Sequence, residues 1–593
     1  MTRQVVALDT ETRLIETGVL DPELACLSIA TEDEKILLSA TDSPPAARAL
    51  LENEEVDLVL QNGAFDLGVL VRADPSLLPL IFAALDAGRI KDTMIREKLL
   101  RLELGELKFR QGKKTKFSLA ALVERYFGVN IEETKSGSDS WRLRYGELID
   151  VPLEEWPKEA KDYAIDDAVW TLKVYEAQGG AITNEDEQAR AAFGLHLMTI
   201  RGLKTDLHAV DRLRESLAPK IEELHEILTT AGILRPVKKT KDLKVLRALI
   251  SAAYEARGES PPLTPSGAVS TARETLTESG NAILQSLGEL SNAEKLLKTY
   301  IPTLEEGIVN PGYSILMESG RVSSFRPNIQ NVPRMGGVRE CYVPRDGFVF
   351  VACDYSTLEL CALAQVCLDL FGFSRMADAI NAGEDLHQSF ADDAGCSRQA
   401  SKAANFGYPG GLGATSFASY AKNYGVEITE SEAIALKERW LERWPEVARF
   451  FRHVAKIASV RDSFPITQLR SGRVRGGCNY TSACNTFFQG LSADLAKEAV
   501  FETSRRCYLE SLGSPLFGSF CVAFIHDELI IEAPVDRWRE AAEELSRVMV
   551  AAAKNWIPDV AIRADPAGML RWYKDAEEVR DEDGVLQLWE PSQ

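Results

Sequence analysis

FVFVACDYSTLEL, residues 348–360, decides how the second half of the chain is read. Six apolar residues run directly into an aspartate, the pattern of a strand buried on both faces. A carboxylate ending such a strand is costly unless something pairs with it. A bound cation would compensate Asp354. Further on, CVAFIHDELIIEAP (521–534) sets two apolar runs around a polar His-Asp-Glu and reads as a β-hairpin. If these strands are neighbours, Asp354 and Asp527 converge on one spot. Either acid alone reads more readily as a turn residue than as a ligand.

Between the two stretches, residues 376–460 have helical spacing. Arg398, Lys402 and Phe406 stand at i, i+4 and i+8, hence on one helical face. Two cations and a ring there suit a triphosphate and a stacked base. The plainer alternative is a cationic face with one core aromatic. Asn485 and Gln489 are also one turn apart, and both can hydrogen-bond minor-groove acceptors without reading sequence.

The N-terminal third follows a different pattern. QVVALD (4–9) and VDLVL (56–60) read as strands, and FSLAALVERYFG (117–128) as a helix closed by glycine. Alternation continues to about Glu176, which makes an α/β domain. QGGAITNED (178–186) reads as a linker. Asp9 and Glu11, two apart at the end of the first strand, project from one face and repel unless a cation lies between them. Asp66 in QNGAFD and Asp167 in DYAIDD are further candidates. Four such acids can hold two metals ~3.5–4 Å apart, the arrangement that cleaves phosphodiesters. Tyr163, one turn before Asp167, is placed to orient an attacking water.

The 593 residues suit about three to five domains. Composition is that of an ordinary globular protein, 45% hydrophobic and 26% charged. No run approaches the ~20 apolar residues of a membrane span, and MTRQVVALDT leaves no room for a leader peptide. Ten scattered cysteines without a CxxC pair read as buried hydrophobes in a reducing cytosol, so a cytoplasmic location is expected. The net charge of −21 argues against nucleic acid, but local distribution decides phosphate contact. Arg235, Lys238, Lys239, Lys241, Lys244 and Arg247 form a basic cluster, expected at the tip of a helical projection. Its plainer reading is a solvated face.

Together the motifs resemble known families. DTE, NGAFD and YAIDD, in that order, with DTM at 92–94, resemble the three motifs of the DEDDy 3′→5′ proofreading exonucleases over residues 1–177. DYSTLEL resembles motif A of family A (polymerase I type) DNA polymerases, RQASKAANFG (398–407) motif B and IHDE (525–528) motif C. GRVSSFRPNIQNVPR (320–334), DLH (385–387), NTFFQG (485–490), RGLKTD (201–206) and LTPSGAVST (263–271) also fit.

The resemblance implies an RNase H-like α/β exonuclease domain followed by an α+β right-hand polymerase with palm, fingers and thumb. The expected divisions are 1–185 exonuclease, 186–300 palm entry and thumb, 301–375 palm with motif A, 376–460 fingers, and 461–593 palm with motif C. It implies two Mg²⁺ per active site, with Mn²⁺ as a substitute, held by Asp9, Glu11, Asp66 and Asp167 in one site and by Asp354 and Asp527 in the other. Arg398, Lys402, His387, Phe406, Glu359 and Tyr355 would meet the nucleotide; Lys402 would protonate pyrophosphate and Glu359 block a 2′-hydroxyl. Arg321, Gln330, Asn485, Gln489 and His526 would line the primer-template. Primer-template DNA and dNTPs are the implied partners, and a monomer is expected. The lack of a 5′-nuclease segment before residue 1 resembles the phage-replicative subclass, in host cytoplasm; a processivity factor or helicase is not legible.

Two positions depart from the family. Its usual tyrosine four residues after Phe406 is Gly410 here, with Tyr408 as the nearest substitute. Its arginine four residues before Asn485 is Thr481. Pro409 and Gly410 predict that the motif B helix ends or kinks near Tyr408. Three competing readings remain: a nuclease of the same superfamily that acts on RNA, with a C-terminal module used only for binding; a single-subunit RNA polymerase; and a non-catalytic replication scaffold. The intact motifs, the proofreading segment with Glu359, and the retained acids weigh against them respectively.

Overall fold

The computed structural model describes residues 3–109, 115–131, 140–264, 266–333, 336–459 and 463–591. Pro265 and Arg334, members of two quoted segments, lie outside the described residues.

Five strands build the first sheet: β1 (Gln4–Thr12), β2 (Leu24–Ala30), β3 (Lys35–Ser39), β4 (Val56–Leu60) and β5 (Ile90–Asp92), in the order β3-β2-β1-β4-β5. β1 pairs antiparallel with β2 and parallel with β4. Because β2 pairs along it as far as Thr12, β1 runs past Asp9, and both acids lie within the strand rather than at its end. The helix α1 (Ala64–Ala73) follows β4, and the long helix α2 (Lys158–Ala177) packs across β1 and β2. The predicted helix at 117–128 forms over Leu119–Phe127. Ser118 caps it by accepting from Ala121 N, worth ~1 kcal/mol, and Gly128 closes it at φ +68°.

Helix α3 (Glu185–Arg201) starts where the linker ends, and it belongs to both halves. One side packs on α1 and β5, the other on the long helix near the C-terminus described below. The sheet core and the C-terminal core are consequently one continuous apolar cluster. Buried polar bonds reinforce the junction. Lys497 donates to Gln188 at 2.6 Å and to the Gly320 carbonyl at 2.7 Å, and Arg473 donates to Asn184 at 2.8 Å.

Helices Leu207–Thr230, Leu243–Glu255, Arg273–Glu278 and Ala282–Lys295 form a projection, and most of its length has a core of its own. Residues 231–242 turn between the first two helices, and this turn carries Arg235, Lys238, Lys239 and Lys241; Lys244 and Arg247 open the second helix. Val237, 92% exposed, marks the tip.

The second sheet has four antiparallel strands: β6 (Phe348–Tyr355), β7 (Phe520–Ile525), β8 (Glu528–Pro534) and β9 (Ala564–Met569), ordered β7-β8-β6-β9. Helix α4 (Leu358–Phe371) continues from β6. The helical block from Arg375 to Ala458 includes α5 (Arg398–Gly407) and α6 (Ala414–Ala421). Helix α7 (Tyr480–Tyr508) runs through the centre, packing on α3 and α4. Among the described residues no helix is long and apolar enough to cross a membrane, and the ten cysteines are free.

Candidate active sites

The first site lies on β1 and α2. Carboxylate oxygens of Asp9, Glu11 and Asp167 lie within 4.8 Å of one another. The strand places the first two on one face and α2 brings the third across it. An oxygen-only donor set of this kind suits a hard divalent cation. The fourth predicted acid is placed differently. Asp66, 4% exposed, accepts from Thr10 N at 3.0 Å and Thr10 Oγ1 at 2.6 Å, between the other acids' strand and α1. Burial raises its pKa, and the Thr10 bonds hold it down in part.

Tyr163 stands one turn before Asp167, and its phenol is pushed far up by burial and then by the Asp167 and Glu11 charges, so it stays protonated. Two supporting residues escaped the sequence reading. Tyr145, fully buried, packs against the Tyr163 ring at 6.1 Å and donates to Ala160 O at 2.7 Å, fixing the start of α2. Asp92, in the DTM segment, accepts from Gly63 N at 2.9 Å and Met94 N at 2.8 Å; it caps a helix and holds the loop that presents Asp66. DTM was the available signal for Asp92. Nothing local marked Tyr145.

The second site lies at one end of the four-stranded sheet. β6 and β8 pair with Asp354 opposite Glu528, which carries Asp527 to the side of Asp354. The two carboxyls share a hydrogen bond, and loss of hydration raises both pKa values, with their mutual repulsion adding to that of Asp527. Two like charges so placed call for a counter-cation. His526 and Asp527 alone connect β7 to β8, and His526 takes φ +62°, an uncommon conformation for a residue with a Cβ. A cavity at this end is lined by Arg321, Glu359, His526 and Asp527. Across it Arg321 forms an ion pair with Glu359, a partner that sequence spacing did not reveal.

On α5 the residues not buried are Arg398, Gln399, Lys402 and Phe406, followed by Gly410 just beyond the helix. Arg398 pairs with Asp385 at 2.8 Å. The His387 ring lies tilted against Phe406, centroids 5.3 Å apart, and its Nδ1 meets Asn405 Nδ2 at 2.9 Å. Burial pushes His387 down to about 4, so it is a neutral hydrogen-bonding group, not a cation. Asn485 and Gln489 are half-buried on α7, and Gln330 is buried with its Oε1 taken by Ser324 N at 3.3 Å.

Two expectations are corrected. The Tyr355 side chain is turned from the cleft: its ring is buried and its hydroxyl donates to Met549 O at 2.7 Å, because alternation on β6 turns it to the core side. Tyr408 does not substitute for the tyrosine absent at Gly410. α5 does end at Gly407, followed by a short 3₁₀ turn, but Tyr408 is fully buried, stacked on Phe417 at 4.2 Å and donating to Ala433 O at 3.0 Å.

Residues 208–573 match the family model described as DNA polymerase family A, and residues 2–178 the one described as 3′-5′ exonuclease. DNA polymerase I of Aquifex aeolicus is 30% identical over 329 residues, 53% of this chain and 55% of that protein. DNA polymerase I of Bacillus subtilis is 26% identical over 425 residues, 66% and 45% respectively. The chain spans about half the length of the curated relatives it matches. A solved structure described as the POL domain of Pol1 from M. smegmatis in complex with DNA primer-template and dNTP shares the fold, with a TM-score of 0.69 at 20% identity and 96% of each chain covered.

Proposed function

The chain belongs to DNA polymerase family A, and from that membership we propose that it copies a DNA template from dNTPs and trims mispaired 3′ ends in its N-terminal domain. The observation carrying the polymerase half is the contact between Asp354 and Asp527, brought together by β6 and the β7–β8 hairpin. In the proofreading half it is the cluster of Asp9, Glu11 and Asp167. The divisions 1–185, 186–300, 301–375, 376–460 and 461–593 serve this reading as exonuclease, thumb, palm, fingers and closing palm.

Pairs of Mg²⁺ ions fit both acid sets, and when bound they would lower the pKa of the attacking hydroxyl or water and neutralise the leaving group. The protein's own side chains do the rest. Arg398 and Lys402 hold the triphosphate, and Lys402 delivers a proton to departing pyrophosphate. Neutral His387 donates a hydrogen bond beside them. Phe406 packs on the incoming sugar and base. Arg321, Asn485, Gln489 and His526 line the primer end, with Gln330 behind them. In the N-terminal site Tyr163 orients the water. The proofreading domain's shared core with the palm favours a replicative role over a free-standing nuclease.

Primer extension with Mg²⁺ and dNTPs or rNTPs tests this reading; no extension with either removes it, and a preference for rNTPs makes the chain an RNA polymerase. Two further outcomes follow. Glu359→Ala raises ribonucleotide incorporation while dNTP extension survives, since the carboxylate that collides with a 2′-hydroxyl is gone. Unchanged discrimination assigns the gate elsewhere. Neutralising Lys238, Lys239 and Lys241 together weakens duplex binding and flattens its salt dependence by up to about three counterions. An unchanged slope makes the turn a solvated face.

A further inference from the structure

Lys497 is 1% exposed on α7, where an apolar side chain would pack at less cost in hydration. Its amine has two partners. It donates to Gln188 Oε1 at 2.6 Å and to the carbonyl of Gly320 at 2.7 Å. Burial lowers its pKa, and the group donates both bonds with or without its charge. Gly320 is clamped from a second side. It takes φ +91°, and a Cβ there would run into the Arg473 guanidinium. Arg473 is itself fixed, by the buried Asp494 carboxylate and by Asn184 Oδ1. The turn that holds Gly320 is closed by its own N–H on Met317 O at 2.8 Å and by Met317 N on Arg321 O at 2.9 Å. Arg321 is the first residue after this clamp, and it lines the cavity shared with Glu359, His526 and Asp527.

We infer that Lys497 is a positioning residue of the polymerase site, fixing through the Gly320 carbonyl where Arg321 enters the cleft. The inference rests on the polymerase reading above, in which Arg321 lines the primer end. The other bond of Lys497 reaches back to α3. Gln188 is wholly buried and donates at 2.6 Å to Asn184 Oδ1, the same oxygen that accepts from Arg473. Asn184 and Gln188 open the helix that follows the exonuclease segment. One amine thus holds both the approach to the primer-end guanidinium and the seat of the proofreading domain. Without its donor the Gly320 peptide is free to rotate. An arginine displaced by ~1 Å loses the directed bonds that align a primer terminus with an incoming nucleotide. Its pair with Glu359 loosens with it.

Single-nucleotide insertion by the full chain, in an Asp9→Ala/Glu11→Ala background, tests this alongside 3′ degradation by chains whose first site is intact. Lys497→Met keeps the volume and removes both bonds. It is expected to lower kcat/KM for insertion about tenfold, the worth of one well-directed bond to a charged group. The loss should fall mainly on kcat, because other residues hold the triphosphate. Degradation of a single strand should stay within about twofold of wild type, as for a site that shares no partner with the change. In an Arg321→Ala background the Lys497→Met effect should shrink to about twofold or less, because the two residues act through one another. Gln188→Leu removes only one acceptor and is expected to cost a few-fold in insertion, with the same dependence on Arg321; it decides the matter if Lys497→Met does not fold. Losses that multiply in the double variants, parallel losses in both activities, or wild-type insertion in the single variants overturn the inference. So does loss of folding in both, which makes the network structural only. A wild-type chain that extends no primer removes the polymerase reading and the inference with it, whereas multiplying losses in an active chain remove the inference alone.

Discussion

Asp354→Ala and Asp527→Ala each stop primer extension, by about 10³-fold or more, while degradation from the 3′ end continues. The magnitude follows from losing several kcal/mol of charge stabilisation at ~1.4 kcal/mol per tenfold. The two acids share one hydrogen bond and one cleft, so removing either leaves the other without the arrangement that binds a cation. Their joint loss should therefore cost little more than either alone, as for groups acting as a unit. Each variant also removes a buried carboxyl whose lost hydration is costly, so the melting temperature without metal should hold or rise. A single variant that still extends primers at a tenth of the wild-type rate would remove Asp354 or Asp527 from the catalytic set.

The Asp9→Ala/Glu11→Ala variant does the converse. It removes two of three clustered carboxylates, and 3′ degradation falls by a similar ~10³-fold while extension persists. Separability is a substantive expectation here, because the two halves share one apolar core through α3. The substitutions sit on β1, which packs on β2, β4, α2 and, more lightly, α1, and none of the buried bonds made by Arg473 or Lys497 depends on them. If the double variant also stops extension, the sites communicate through the junction and are not independent. Extension products should carry more terminal mismatches than those of the wild type, readable by sequencing.

Much of this was legible before any coordinates, and what was legible had short sequence range. The paired carboxylates at i and i+2 on β1, the face of α5 at i+4 steps, and the hairpin around His526 and Asp527 follow from strand and helix periodicity within about ten residues. So does the end of α5 at Gly407, forced by Pro409 and two glycines. What tertiary structure decided involves partners far apart in the chain. Sequence offers Tyr408 as the nearest candidate for a cleft-facing ring; packing against Phe417 and Trp440 buries it instead. Asp66 reads as a fourth acid of the set, and its bonds to Thr10 N and Oγ1 depend on α1 packing against β1, which no local pattern states. The Arg321–Glu359 pair likewise depends on where the segment at Arg321 meets α4, and the Asn485 amide over Gly410 on where α7 meets the end of α5. Periodicity states which face of an element a residue occupies. Which neighbour that face meets is set by the closest packing of a core whose members lie hundreds of residues apart, and no local pattern encodes that choice.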